Sequence, residues 1–233
     1  MNQITSLLPL LAVALLAFPG PVTAADGPLM TKHPDSSAWP ALFAPDLSDA
    51  DFPAGVWTME KGELTASQDQ VIWTKQDHEN FIVDLEFKDS VGTNSGVLIY
   101  CTDIRNWIPN TVEIQLLDDY ADKWKDVAPT WKCGGIFGRL APAKQVVKKA
   151  GEWNRVTVAC KGPHLTVVLN DTVTVDADMK RWTSASKNPD GSDTPPFLAS
   201  AMSAMATKGR IGLQGKHGDA PVFFRNYRIS ELK

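Results

Sequence analysis

The sequence is short of cysteine, of helical pattern and of long apolar runs. Its 233 residues include three cysteines, Cys101, Cys133 and Cys160. Their spacing fits no zinc or redox motif, and none reads as catalytic. In an exported chain one pair could bridge and leave one thiol over. Cys160 alternates with Val156 and Val158, which marks it as a buried thiol. The apolar run Leu7–Phe18 is too short to cross a bilayer comfortably. Basic runs with interleaved aromatics are missing, and 23 Lys and Arg against 27 Asp and Glu give a net charge of −4. That balance argues against nucleic acid and against a membrane surface. Helical periodicity is confined to Phe197–Met205, where Pro195-Pro196 could start one short helix. The chain carries no internal repeat, no low-complexity tract and no second domain.

What is there begins with a targeting pattern. Leu7–Phe18 follows a short polar start and precedes Pro19–Ala25, a stretch of small residues and helix breakers. Val22-Thr23-Ala24 fits the small-residue rule for cleavage, so residues 1–24 read as a signal peptide. The mature chain is then expected to be exported, periplasmic or extracellular, with no membrane insertion once the signal is removed. Residues 25–38 read as an N-terminal extension. The stretch Asp26–Pro45, rich in Pro, Ser and Asp, is expected to wrap the domain. Residues 39–233 read as one domain, of a size that suits one β-sandwich or barrel and is ample for a core.

The domain reads as all-β. Phe81, Val83, Leu85 and Phe87 alternate with Ile82, Asp84, Glu86 and Lys88, a period of two with one apolar face. Further strand runs are Val97–Cys101, Arg155–Cys160, His164–Asn170, Val173–Val175, Arg210–Gln214 and Val222–Ile229. Lys161-Gly162-Pro163 reads as a turn, and Asn170-Asp171 as a hairpin turn. Short strands at regular spacing point to a sandwich or jelly roll. Thr183–Pro196 is a polar loop of a size that is often functional. Trp153 is expected to cap the sandwich. Eight Trp is a high count: such rings stack on sugars, but they also fill cores.

The stretch Thr111–Asp119 is the most informative for chemistry. As a strand it sends Val112, Ile114 and Leu116 to the core and Glu113 and Gln115 to the opposite face. A carboxylate beside an amide there can bind hydroxyls or move a proton; it can also be a solvated outer face. Glu113-x-Gln115-x-x-Asp118 resembles the Glu-x-Asp-x-x-Glu strand of β-glucanase jelly rolls. Asp118 would need a bulge to join the Glu113 face, since an offset of five reverses the side. A retaining glycosidase needs two carboxyls about 5–5.5 Å apart, which this strand does not clearly supply. Gln214 ends a strand, and His217 sits in a glycine-flanked turn where an imidazole suits acid–base work or is simply exposed. Arg225 shares a strand face with Phe223 and Tyr227, so it pairs structurally or lines a pocket. Asn94, just before a strand, could reach the same cleft. Gly134-Gly135-Ile136-Phe137-Gly138 lacks the Lys-Ser/Thr of a phosphate loop, and its glycines read as permitting close backbone or ligand approach. No nicotinamide site is expected. Asp118, Asp119 and Asp122 give a weak signal for calcium, and no transition-metal spacing is present.

Taken in order, these residues resemble one family. Trp57…Gly62-Glu63-Leu64, Asn94-Ser95-Gly96, Val112–Asp118, Gly151-Glu152-Trp153-Asn154, Leu169-Asn170 and Gly209–Gly218, ending in Phe224-Arg225-Asn226, are similar to the 3-keto-disaccharide hydrolase domain. That domain is also described as a 3-keto-glucoside lyase/hydratase domain, and the resemblance spans roughly residues 39–233. It implies a concanavalin A-like jelly-roll sandwich of two antiparallel sheets with a cleft on the concave sheet. It implies a 3-keto-glucoside or 3-keto-disaccharide substrate, made by a separate sugar 3-dehydrogenase acting upstream. It implies Glu113 and His217 as the catalytic pair, one base and one acid, with Gln115, Asn94, Gln214, Arg225 and Asp118 as candidate binding groups. A lectin-like binder and an ordinary two-carboxylate glycosidase stay open. Asn170-Asp171 departs from the commoner Asn-Gly. Trp131-Lys132 before Cys133 replaces a more usual polar pair; if it lines the cleft, it bears on substrate range.

Overall fold

A computed structural model describes residues 27–232 of the chain. The signal-peptide reading of residues 1–24 lies outside the described residues. Twelve strands follow in order: β1 (Ala50–Asp51), β2 (Trp57–Glu60), β3 (Glu63–Ala66), β4 (Val71–Thr74), β5 (Phe81–Asp89) and β6 (Asn94–Cys101). Then come β7 (Val112–Leu117), β8 (Trp153–Lys161), β9 (His164–Leu169), β10 (Thr172–Asp178), β11 (Arg210–Gln214) and β12 (Val222–Glu231). They form a five-stranded sheet, β1-β4-β11-β6-β7, and a seven-stranded sheet, β10-β9-β8-β5-β12-β3-β2. Every pairing is antiparallel. The protein is a jelly-roll sandwich, as the strand spacing predicts.

The core lies between the sheets and follows the period of two. Phe81, Val83, Leu85 and Phe87 of β5 face Val97 and Ile99 of β6, Val112, Ile114 and Leu116 of β7, and Ile211 and Leu213 of β11 in one cluster. Each such side chain contributes about 1.5–3 kcal/mol on burial. The β9–β10 hairpin turns through Asn170 and Asp171, both at positive φ (46° and 61°). That is the backbone a two-residue hairpin of matching twist requires.

The chain from Leu29 to Ser36 crosses the outward face of the seven-stranded sheet. Leu29 N–H donates to Thr166 Oγ1 (2.9 Å), His33 Nδ1 meets Thr157 Oγ1 (2.7 Å), and Ser36 Oγ donates to Asp84 Oδ2 (2.5 Å). This strap buries Asp84, which sits on the outward face of β5 but is only 3% exposed.

Three expectations need correction. Phe197–Met205 is not a helix; a single 3-10 turn covers Met202–Ala204. The Arg139 guanidinium takes Leu198 O (2.9 Å) and Ser200 O (2.5 Å), contacts that hold this stretch in an irregular path in place of a helical ladder. Trp153 does not cap the sandwich. It lies on the outward face of the seven-stranded sheet beneath Lys88 Nζ (4.6 Å) and the Arg225 guanidinium (3.9 Å). Tyr227 does not share a face with Arg225, because β12 bulges between Arg225 and Arg228 with Asn226 at φ 53°. The extra residue returns Tyr227 to the core while Phe223 and Arg225 stay outside. Cys160 is the buried thiol that its alternation marks; Cys101 and Cys133 are free and buried too, and burial pushes each thiol up from its ordinary pKa.

Candidate active site

The site is built on the outward face of the five-stranded sheet. Along β7, Val112, Ile114 and Leu116 enter the core, so Glu113 and Gln115 project from the other side. On the neighbouring β6, Gly96 leaves room for the Glu113 side chain to lie flat across it. A Cβ at Gly96 would come within 2.5 Å of Glu113 Oε1 and 2.7 Å of its Cγ. Gln115, fully buried, donates from Nε2 to Asn94 Oδ1 (2.8 Å) and so orients the Asn94 amide.

His217 is delivered by a loop held on two sides. Its backbone bridges Asn94 at the start of β6. Gly215 N–H donates to Gln70 O (3.0 Å) and Lys216 N–H to Gln68 O (3.2 Å). Any Cβ at Gly215 would strike Gln68 O at 2.5 Å, so this approach needs glycine. It brings Asp69 Oδ2 to 2.6 Å from His217 Nδ1. A carboxylate only accepts, so Nδ1 carries the proton and, in the neutral ring, Nε2 holds the free lone pair.

Glu113, His217, Asp69, Asn94 and Gln214 form the polar wall of a cavity of about 360 Å³. Trp107, Ile108, Trp131, Phe137 and Phe197 form the apolar wall. Three of these rings support one another: Trp131 and Phe137 have centroids 4.9 Å apart, and Phe137 stacks on Phe197 at 6.1 Å. Among the described residues no donor hydrogen-bonds the Glu113 carboxyl. Burial raises its pKa to about 8; the nearby Asp69 charge adds to the rise, while His217 opposes it. The His217 pKa is raised chiefly by its hydrogen bond to Asp69, against desolvation, with the Asp69 and Glu113 charges helping. A carboxyl that holds its proton thus stands near an imidazole made more basic by a carboxylate. That is an acid and a base in one small, largely apolar space.

The 3-keto-alpha-glucoside-1,2-lyase-like domain profile matches residues 35–230. The chain belongs to this family. A solved Parabacteroides distasonis protein described as a candidate glycosyl hydrolase is 50% identical, with TM-score 0.82 over 83% of this chain and 99% of that one. A second candidate glycosyl hydrolase from the same organism is 21% identical, with TM-score 0.64 over 80% and 90%. The VIP36 exoplasmic/lumenal domain, solved in a Ca2+/Man3GlcNAc-bound form, shares the fold at 12% identity and TM-score 0.51, over 83% and 89%. No curated protein matches the chain. The family and its 50%-identical relative place the protein among glycosyl-hydrolase-like, carbohydrate-directed domains.

Within this lyase-like domain, four of the residues singled out in the sequence line the cavity: Glu113, His217, Asn94 and Gln214. Gln115 stands behind Asn94 as its support. Two others lie elsewhere. Asp118, just past the end of β7, accepts Gly92 N–H at Oδ2 (2.8 Å) and Tyr120 N–H at Oδ1 (3.2 Å), so its carboxylate braces a turn. Arg225 is on the other sheet, bonded from Nε to Glu86 Oε2 (2.7 Å) and stacked on Trp153. Among the described residues no group of three or more His, Cys, Asp or Glu could hold a metal ion. Asp119 accepts Cys133 N–H, and Asp122 pairs with Lys125. The close approaches at Gly135 and Gly138 are to Leu140 O, Pro142 and Pro195, which are protein packing.

Sequence reasoning missed Asp69, Trp107, Ile108, Phe137 and Phe197 as site residues. They come from four stretches far apart in the chain, around 69, 107–108, 137 and 197, and share no spacing. Trp131 was legible only as a departure from the family pattern, and it does line the cavity. Its neighbour Lys132 turns away, donating to Trp124 O (2.8 Å) and Lys125 O (3.0 Å).

Proposed function

We propose that this protein cleaves 3-keto-glycosides by elimination followed by hydration, for a net hydrolysis. The observation that carries the reading is the Glu113 carboxyl, without a hydrogen bond from the described residues and with its pKa raised to about 8, beside an Asp69-held imidazole in one cavity.

A ketone at sugar C3 acidifies the C2 hydrogen. His217 Nε2 removes that proton, and Asp69 favours the imidazolium that forms. Charge develops on the C3 oxygen, where the amides of Asn94 and Gln214 can donate. Neutral Glu113 protonates the glycosidic oxygen as its bond to C1 breaks. The products are the free alcohol and a 2-hydroxy-3-keto-glucal. Water then adds, its hydroxyl to C1 and a proton to C2, while Glu113 and His217 return to their starting states. This scheme uses one acid, one base and donors rather than a pair of carboxyls acting on a simple glycoside. The Asp69 carboxylate, committed to His217, favours it over a two-carboxylate glycosidase. The ketone must come from a separate sugar 3-dehydrogenase, and the leader read in residues 1–24 puts this step in the periplasm or outside the cell.

The test is to incubate the protein with a 3-keto-glucoside and with its unoxidised counterpart and to follow release of the alcohol. Cleavage of the keto compound alone is expected. Cleavage of both indicates a glycosidase, and cleavage of neither a lectin-like binder.

A further inference from the structure

Arg139 is a buried cation with an incomplete set of partners. It is 6% exposed, and among the described residues no carboxylate pairs with its guanidinium. Nη2 donates to Leu198 O (2.9 Å) and Ser200 O (2.5 Å), while Nη1 has no partner. Burial lowers its pKa, and no charged group opposes the fall. Taking a charge out of water without a counter-charge is unfavourable, and an apolar side chain of similar volume often serves stability as well or better. What such a side chain could not supply is a grip on two particular carbonyls.

Both carbonyls lie just past Phe197. Between the end of β10 at Asp178 and the start of β11 at Arg210 the chain has no strand, only two 3-10 turns. Its position therefore depends on where it docks. Asn188 Nδ2 donates to Gly138 O (3.1 Å), next to Arg139. Gly138, at φ 67°, leaves the space into which Pro195 and Leu198 pack; a Cβ there would meet them at 2.9 and 2.8 Å. The ring so placed is Phe197. It stacks on Phe137 (6.1 Å, 21°), meets Trp131 edge-on (6.5 Å, 71°) and lines the Glu113 cavity. It is still 47% exposed. Burial holds a side chain only in proportion to the area removed from water, so this ring owes its place largely to the backbone behind it.

We infer that Arg139 is a positioning residue of the site: through the Leu198 and Ser200 carbonyls it holds the Phe197 ring as part of the cavity's apolar wall, where the ring contacts bound substrate and limits water around the Glu113 carboxyl. Phe197 is the group that touches substrate, and Arg139 acts only through it. The acid role of Glu113 rests on the elimination reading above; the placement of the ring does not.

The test is a double-mutant cycle of Phe197→Ala and Arg139→Met, with Arg139→Lys as the conservative variant. On methyl 3-keto-glucoside at pH 6, Phe197→Ala should raise KM about three- to tenfold and leave kcat within about threefold, the pattern of lost binding. Arg139→Met should do the same, and Arg139→Lys less, because an ammonium still donates to a carbonyl. In the Phe197→Ala background Arg139→Met should add less than about twofold, since one residue acts through the other. Fully additive losses overturn the inference. Should Arg139→Met not fold, Arg139→Gln, whose amide is too short to hold both carbonyls, takes its place in the cycle.

A readout without turnover separates this inference from the elimination reading. Carbon-13 NMR follows the Glu113 carboxyl, whose pKa is raised to about 8 in the unaltered protein. With the ring removed or unpinned, more water reaches the carboxyl. Its midpoint should then fall by about half a pH unit or more, and the descending limb of kcat/KM with it. An unmoved midpoint in either variant sinks the inference even if keto-glycosides are cleaved. A lowered midpoint in both upholds it even if none is cleaved, and then only the elimination reading falls.

Discussion

The outward faces of the two sheets each hold a shielded carboxyl group, and the two are treated in opposite ways. Asp84, on the seven-stranded sheet, accepts four hydrogen bonds: from Arg155 Nε (3.0 Å) and Nη2 (2.7 Å), from Ser36 and from Thr157. Arg155 also ties the strap through Pro34 O (2.6 Å). Glu113, on the five-stranded sheet, accepts none from the described residues. The first group is a brace, with every lone pair committed. The second is left unsatisfied, which raises its pKa and keeps a proton for use. The same residue chemistry becomes structure or function according to what the neighbouring strand supplies.

The largest test of this contrast is Glu113→Gln. Turnover of a 3-keto-glucoside should fall by about 10²–10⁴, the range of a lost general acid. Stability should move the other way at alkaline pH. Because the folded-state pKa of Glu113 is raised, the folded protein holds a proton that the unfolded chain has lost, and its stability declines as pH rises from about 4.5 to about 8. The Gln variant escapes that decline. Allowing for the cavity's water, it should gain about 1–2 kcal/mol at pH 9, or roughly 3–6 °C in Tm. Asp84→Ala is the mirror image. It leaves Arg155 unpaired and should cost about 2–4 kcal/mol in urea melts, while the folded fraction keeps its kcat.

Asp69→Asn should have a middling effect, a loss of about 10–100-fold in kcat, since the residue positions an imidazole but is exposed. KM should hardly change. The ascending limb of the kcat/KM profile should move to lower pH, because Asp69 is what raises the His217 pKa. In the unaltered protein the descending limb should fall near pH 8, as Glu113 ionises. A single limb in place of a bell would break the assignment of acid and base. The smallest effect belongs to Arg225→Ala. Being on the other sheet, it should alter kcat/KM by less than about twofold and stability by less than about 1 kcal/mol.

Much of the fold could be read from alternation. Phe81–Lys88 and Val112–Leu116 carry their inward and outward faces in the sequence, and the pleat then puts Glu113 and Gln115 side by side. His217 was legible through its glycines. What alternation cannot tell is which sheet a strand joins. Alternation therefore leaves Arg225 free to be assigned to the cleft, although β12 belongs to the other sheet, and it gives no sign of the bulge at Asn226 that moves Tyr227 off the Arg225 face. Asp69 depends on the 67–70 turn meeting the Gly215–Lys216 backbone, and the aromatic wall on where loops 102–111, 128–140 and 183–209 fold back; both are fixed by long-range contacts. The Arg139 grip on residues 198 and 200 is one such contact, and nothing local to Phe197–Met205 announces it.

The Gly96 backbone is not in the left-handed region, so alanine would not strain φ there; its methyl would strike only the Glu113 side chain, at Oε1, Cγ and Cδ, which must swing aside. Gly96→Ala should therefore fold and melt normally, yet tip the Glu113 carboxyl off its seat and into water. Its proton affinity would relax toward that of a free glutamate. The strength of this acid is set, in effect, by one methyl group that the neighbouring strand does without.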